Sequence, residues 1–247
     1  MYRELPAPAG LEPYVACVWT KSGPARPVLP DGCVDVVWSG AELVVAGPAT
    51  EVVHPAVDPD ATKLGVRFRM GTAGAALGMP AHELLDLNVP ISEVWRGPLE
   101  TPRDLAALVR TVARRLPPVD ALDPLVRAAV VETARSEPGV VELGRSLGLS
   151  ERQLLRRFRR AVGYGPRTLA RVVRFQRFLA LAQADPGAEL AWLAAGAGYA
   201  DQPHLTRECR RLSGRTPLEL IAAGAGAAGE RSDSFNTAGA ASETLAA

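Results

Sequence analysis

Apolar and polar residues alternate along the first seventy positions instead of clustering. Segments 14–21, 33–38, 42–46 and 63–70 carry Val, Trp and Phe at partial two-residue spacing, the signature of strands with one buried face. Gly23-Pro24, Asp31-Gly32, Gly47-Pro48 and Asp58-Pro59 punctuate them, and such pairs mark turns. The pattern predicts a small, mostly antiparallel sheet or barrel. The Ala/Gly-rich stretch 71–90 predicts one short helix. Over 102–116, Leu105, Leu108, Val109, Val112 and Leu116 fall at helical spacing, with Arg110, Arg114 and Arg115 largely opposite. Such a short stripe reads as a helix packed on its own domain, with a dimerisation helix as the sharper alternative. Pro117-Pro118 ends it.

Beyond Asp123 the period becomes helical throughout. Helices are predicted over 125–135 and 140–147. The next starts at Ser150, where Gln153 three residues on completes a capping box, and stops at Gly163. Pro166 suits the first turn of a long helix reaching 184. A helix over 189–197 ends at Gly198. Asp201 caps the next, which stops at Gly214, and Thr216-Pro217-Leu218-Glu219 forms another capping box. After Ala223 the chain is Gly, Ala, Ser and Thr without period, which predicts a disordered tail. The expected fold class is α+β. Residues 1–97 form a β-rich domain, 98–123 a helical linker, 124–223 an all-α domain and 224–247 the tail.

The helical region says nearly the same thing twice. LGRSLGLSERQLLRRFRRAVGYGP at 143–166 aligns with LAAGAGYADQPHLTRECRRLSGRTP at 193–217, with one extra residue near Asp201. Leu154 matches Leu205, Arg156 matches Arg207, Arg159-Arg160 match Arg210-Arg211, and Pro166 matches Pro217. Two copies are too few for a solenoid. A short helix, a Gly turn and an Arg-rich helix, repeated, describe two helix-turn-helix units. Charge agrees with this. The chain's net +1 conceals a segment, 126–221, with 16 Arg against 9 acids, while 1–125 carries 11 basic and 15 acidic residues. A basic face concentrated in the repeat is the footprint of a polyanion binder.

Helical geometry nominates the contact residues. In the first unit Leu154 and Phe158 face inward, and Arg152, Gln153 and Arg156 lie opposite near the helix start, where side chains reach base edges. Arg159 and Arg160 follow, where phosphate contacts are made. The second unit offers Gln202, His204, Thr206 and Arg207 for bases, and Arg210, Arg211 and Arg215 for backbone. A structural role for His204 is an equal alternative. The helix between the units is about 28 Å long at 1.5 Å per residue. Successive major grooves on one face of DNA lie roughly 34 Å apart. The helix is thus a spacer able to set two recognition helices into adjacent grooves. Arg167, Arg171, Arg174 and Arg177 recur along it, as a solvated face or as phosphate contacts.

These residues carry a resemblance. Residues 127–223 are similar to the DNA-binding domain of AraC/XylS-family transcription regulators, and GYADQPHLTRECRRLSGRTPLEL is similar to the family signature. One departure is Cys209, where the family usually has Phe, which implies looser packing in the second unit. The resemblance implies a bacterial cytoplasmic protein that binds double-stranded promoter DNA, with contact to RNA polymerase. LPDGCVDVVW, VVAGPAT and LGVRFRMG resemble a small β-rich domain of unknown function found ahead of such domains. It implies a sensor of a small-molecule effector or a homodimerisation role.

Competing classes fare worse. Asp31, Asp35 and His54 are the candidates for a catalytic or metal cluster, but HxH and HExxH spacings are absent and Asp31 is explained by its Asp-Gly turn. Cys17, Cys33 and Cys209 are scattered and form no CxxC, which speaks for a reducing compartment. It also speaks against the cysteine chemistry of DNA-repair methyltransferases that carry related helices. No enzyme activity, metal or cofactor is expected. Neither a signal segment nor a membrane helix is expected. A ligand-binding or protein-interaction module with a degenerate DNA-binding domain is the remaining alternative, and the intact Arg faces oppose it.

Overall fold

A computed structural model describes residues 1–23, 26–54 and 62–225. The alternating segments form one antiparallel sheet of six strands: β1 (Tyr2–Pro6), β2 (Val15–Lys21), β3 (Asp35–Trp38), β4 (Leu43–Ala46), β5 (Lys63–Phe68) and β6 (Asn88–Pro90). Their order is β1-β2-β5-β3-β4-β6. The four inner strands lie where alternation predicts them. The two edges were not predicted. Both are short and end in Pro, which a sheet tolerates only where the missing N–H faces away from a neighbour.

The sheet has one apolar and one polar face. On β5, Leu64, Val66 and Phe68 enter the hydrophobic core, whereas Lys63 and Arg67 point to the other side. There Arg67 meets Asp35 twice, at 3.0 Å from Nε and from Nη2, and also Asp31 at 3.3 Å and Glu4 at 3.5 Å. Trp19 donates from Nε1 to Asp35 at 3.1 Å. Its indole lies so close over Gly65 that a Cβ there would come within 2.0 Å of the ring.

The core face is covered by α1 (Ala73–Leu77), a 3-10 turn at Ala81–Leu84, α2 (Ile91–Val94) and α3 (Leu105–Ala113). The stretch 71–90 is thus not one helix. Gly78 turns left-handed at φ 72° and closes α1, and β6 follows the 3-10 turn. Asp104 caps α3 by accepting from the Ala107 N–H. Leu108 and Val112, both 0% exposed, pack into the sheet's own core with Leu122. The apolar stripe of α3 is therefore used within the chain.

Seven helices complete the described chain: α4 (Pro124–Ser136), α5 (Val140–Ser146), α6 (Glu151–Val162), α7 (Pro166–Ala184), α8 (Leu190–Ala197), α9 (Gln202–Ser213) and α10 (Pro217–Ala225). Local caps explain the boundaries. Ser150 and Gln153 exchange both capping-box hydrogen bonds, Asp201 accepts from the His204 N–H at 2.6 Å, and Thr216 and Glu219 form the second box. Gly224 and Ala225 belong to α10. The rest of the expected tail lies outside the described residues, as do Pro24 and Asp58-Pro59.

α7 serves two cores. Its Leu169, Val172 and Val173 join Leu154 and Phe158 of α6, and its Phe175, Phe178 and Leu179 join Leu205 and Cys209 of α9. The first unit is also seated on the β-rich part. Met70 and Leu85 pack against its core, and two glycines permit the close approach. A Cβ on Gly74 would stand 2.3 Å from the Arg160 carbonyl oxygen, and one on Gly163 would stand 2.3 Å from Pro48 Cγ.

Candidate nucleic-acid interface

Each unit presents its second helix outward. In α6, Leu154, Phe158 and Val162 are buried, while Arg152, Gln153, Arg156, Arg159 and Arg160 are all exposed. In α9, Leu205, Cys209 and Leu212 are buried, while Gln202, Arg207, Arg210 and Arg211 are exposed. The stronger amphipathicity of α6 follows from having five arginines in twelve residues. Burying Phe158 anchors the helix by roughly 1.5–3 kcal/mol. Cys209 fills the matching place in α9 at 0% exposure, and burial pushes its thiol pKa up to about 12.

The arginines fall into two sets. Arg152, Arg156, Arg159, Arg160, Arg207, Arg210 and Arg211 have no ion pair with any carboxylate among the described residues. The arginines along α7 do. Arg171 pairs with Glu208 of α9 at 2.9 Å, Arg174 with Glu137 at 3.2 Å, and Arg177 with Glu137 at 3.9 Å and with the Ala134 carbonyl. Arg157 on α6, which faces away from the exposed row, pairs with Asp123 at 3.0 Å. Three of the four arginines along the spacer thus tie the units together; only Arg167 remains an exposed phosphate candidate. Arg145, at the end of α5, is a further exposed cation that sequence reasoning did not select.

His204 and Thr206 differ from the other selected positions. The His204 ring stands edge-on to Tyr199 at 5.2 Å, and its Nδ1 accepts from the Ala200 N–H at 3.4 Å. Arg174 covers the Tyr199 ring at 5.5 Å. His204, Tyr199, Arg174 and Glu137 therefore form one continuous chain from the second unit's turn to the end of α4. Burial raises the Glu137 carboxyl above its ordinary value, against the pull of Arg174 and Arg177. The Thr206 hydroxyl donates back to the Gln202 carbonyl at 2.9 Å. Asp31 and Asp35, the carboxylates of the imagined catalytic cluster, are engaged by Arg67.

Two helix-turn-helix units joined by a shared helix, each with an outward arginine row, define a nucleic-acid-binding protein of helix-turn-helix class. Residues 143–223 match the family described as a helix-turn-helix domain, and residues 3–90 match a domain of unknown function, DUF6597. The chain thus carries a helix-turn-helix domain behind a DUF6597 domain. A probable AraC family transcriptional regulator from Rhodopseudomonas palustris is 23% identical over 40% of this chain and 94% of its own, with a TM-score of 0.35. ToxT from Vibrio cholerae is 12% identical over 83% of this chain and 95% of its own, with a TM-score of 0.41. ToxT bound to (E)-4-(8-methylnaphthalen-1-yl)but-3-enoic acid is 10% identical over 84% of this chain and 97% of its own, with a TM-score of 0.41. No curated protein matches the chain. No helix among the described residues is long and apolar enough to cross a membrane.

Proposed function

We propose that the protein binds promoter DNA with α6 and α9 in successive major grooves of one duplex face, and that residues 1–97 modulate this binding. Arg152, Gln153, Arg156, Gln202, His204, Thr206 and Arg207 are assigned to base edges. Arg159, Arg160, Arg210 and Arg211 are assigned to phosphates. The observation that carries this reading is the sorting of arginines: those on the two outward rows are exposed and have no ion pair among the described residues, while Arg171, Arg174 and Arg177 hold the units together. An arginine row with no internal partner is available to an external polyanion. The α7 helix, 19 residues long, gives a separation of about 28 Å, close to one helical turn of DNA.

Residues 124–223 then form the DNA-binding part, acting in the cytoplasm and contacting RNA polymerase at the promoter. The β-rich part takes a small-molecule effector, and a homodimer doubles the site. Hydroxyl-radical footprinting on DNA selected from a random pool tests the groove placement. The expected footprint is two protected patches on one face, about 10 bp apart. A single patch would overturn it.

A further inference from the structure

The β-rich part is built into the first reading unit far more than into the second. Close approaches line the seam. A Cβ on Gly71 would stand 3.1 Å from Val130 Cγ2 of α4, and one on Gly32 would stand 3.4 Å from Leu169 Cδ1 of α7. Gly74 meets the Arg160 carbonyl of α6, and Gly163, after α6, meets Pro48 and the Ala81 carbonyl. The seam therefore reaches α4, α6, the turn after α6 and the start of α7. Met70 and Leu85 pack against the core that holds Phe158 and Val162. Tyr164, in the same turn, is buried, and burial pushes its phenol well above the ordinary range. Asp31, Cys33 and Asp86 of the β-rich part raise it further.

The second unit shares less with the sheet. Leu29 packs against its core, and Gln176 of α7 donates to the Pro30 carbonyl at 2.5 Å. Between the sheet and α10 lies a cleft of about 620 Å³ instead of a packed seam. The difference has a physical consequence. The Gly74–Arg160 approach is main chain against main chain, and close-packed backbone cannot yield as the far end of a side chain can. At twelve residues, α6 is too short to hold itself as a helix and depends on the apolar face it buries. Part of the cover for that core comes from Met70 and Leu85. Elements that share a core open together, whereas elements joined through one helix can open apart.

We propose that residues 1–97 are a structural half of the first reading unit: the sheet, α1 and α4–α6 form one cooperative body, to which α8–α10 are appended through the second half of α7. The β-rich part thereby governs reading of the half-site under α6 and leaves the other to the second unit. That consequence rests on the DNA-binding reading above; the shared body does not. The division of the chain then falls inside α7, between Val173, which joins the first core, and Phe175, which joins the second. It does not fall at Asp123, where the helical period begins.

The test is native-state hydrogen exchange of the full chain, read by mass spectrometry at increasing sub-denaturing urea. Amides of α6 and β5 should open together with one urea dependence, and those of α9 at lower urea. Gly74→Val drives a wedge against the Arg160 carbonyl. It should increase opening of α6 and β5 at least tenfold more than that of α9. Should that variant fold poorly, Met70→Ala, which withdraws a side chain from the seam, should show the same preference. Leu205→Ala, in the second core, should expose α9 to exchange while α6 and β5 keep their protection. Opening of α6 with α9, or an equal effect of either seam variant on α6 and α9, overturns the shared body. DNA sites selected from a random pool by Met70→Ala should relax in the half-site read by α6 and stay unchanged in the other. Preference unchanged in both half-sites, with the exchange pattern as expected, defeats the governance of reading. Absence of sequence preference in the parent chain, with the same exchange pattern, defeats only the reading of the helices.

Discussion

Replacing both Arg159 and Arg160 by Ala should halve the share of the salt dependence of DNA binding that the arginines late in α6 and α9 contribute. Four arginines follow the base-reading positions of α6 and α9, namely Arg159, Arg160, Arg210 and Arg211, and all four are exposed. If each neutralises one phosphate, these four contribute about −3.6 to the slope of log K against log salt, since each contact contributes about −0.9. Between 50 and 200 mM salt, that share lowers affinity about 150-fold. The double variant retains two of the four contacts, so the share becomes about −1.8 and its drop about 12-fold over the same interval. The variant should still fold, because Leu154, Phe158 and Val162 hold α6 from its other face. Loss of two cations at a helix C-terminus costs only about 0.3–1 kcal/mol each. Fluorescence anisotropy with a labelled duplex at four salt concentrations measures the slope directly. A slope unchanged in the double variant would remove these residues from the phosphate contacts. A flat response in the parent chain would refute the polyanion argument itself.

Three further outcomes are expected. Gly163→Ala should destabilise the chain by about 1–3 kcal/mol in urea denaturation, because the residue sits at φ 102° and its new Cβ would meet Pro48; an unchanged midpoint would show that the seat of the first unit yields freely. Glu137→Gln should cost about 1 kcal/mol of stability, the scale of a partly solvated ion pair, and should weaken binding to DNA with both half-sites more than to DNA with one, since Glu137 holds Arg174 and Arg177; equal weakening would contradict its role as a tie. Glu219 has its pKa lowered by the Thr216 N–H and hydroxyl, so its capping contribution is present above its unfolded value and lost as pH falls through the folded one; amide exchange in the first turn of α10 should accelerate below about pH 4, and a pH-independent protection would show that the box is not held by the carboxylate.

The helical half was legible because its boundaries are local. Ser150 with Gln153, Asp201 with the His204 N–H, and Thr216 with Glu219 act within three residues, so composition and spacing reveal them. The exposed rows were legible for the same reason, since helical period alone separates Arg156 from Leu154. Features that depend on distant partners were not. β1 and β6 have too few apolar residues to alternate and become strands only by pairing with β2 and β4. The Arg171, Arg174 and Arg177 stripe resembles a phosphate-contact row until Glu208 and Glu137 are brought to it by folding. The left-handed Gly78 splits what composition presents as one helix. Cys209 reads as a defect beside Phe158 at the matching place in the first unit, yet is fully buried in its core. The cleft between the sheet and α10 has no sequence signal at all, because residues more than a hundred positions apart build it.

Base preference in the single variants Arg156→Ala and Arg207→Ala tests the central claim most directly. Sites selected by the parent chain should contain two half-elements about 10 bp apart. Arg156→Ala should relax preference in one half-element and Arg207→Ala in the other, each at a loss of about 1–3 kcal/mol. If both variants select the parent's sequence unchanged, or if both relax the same half-element, α6 and α9 do not read adjacent grooves.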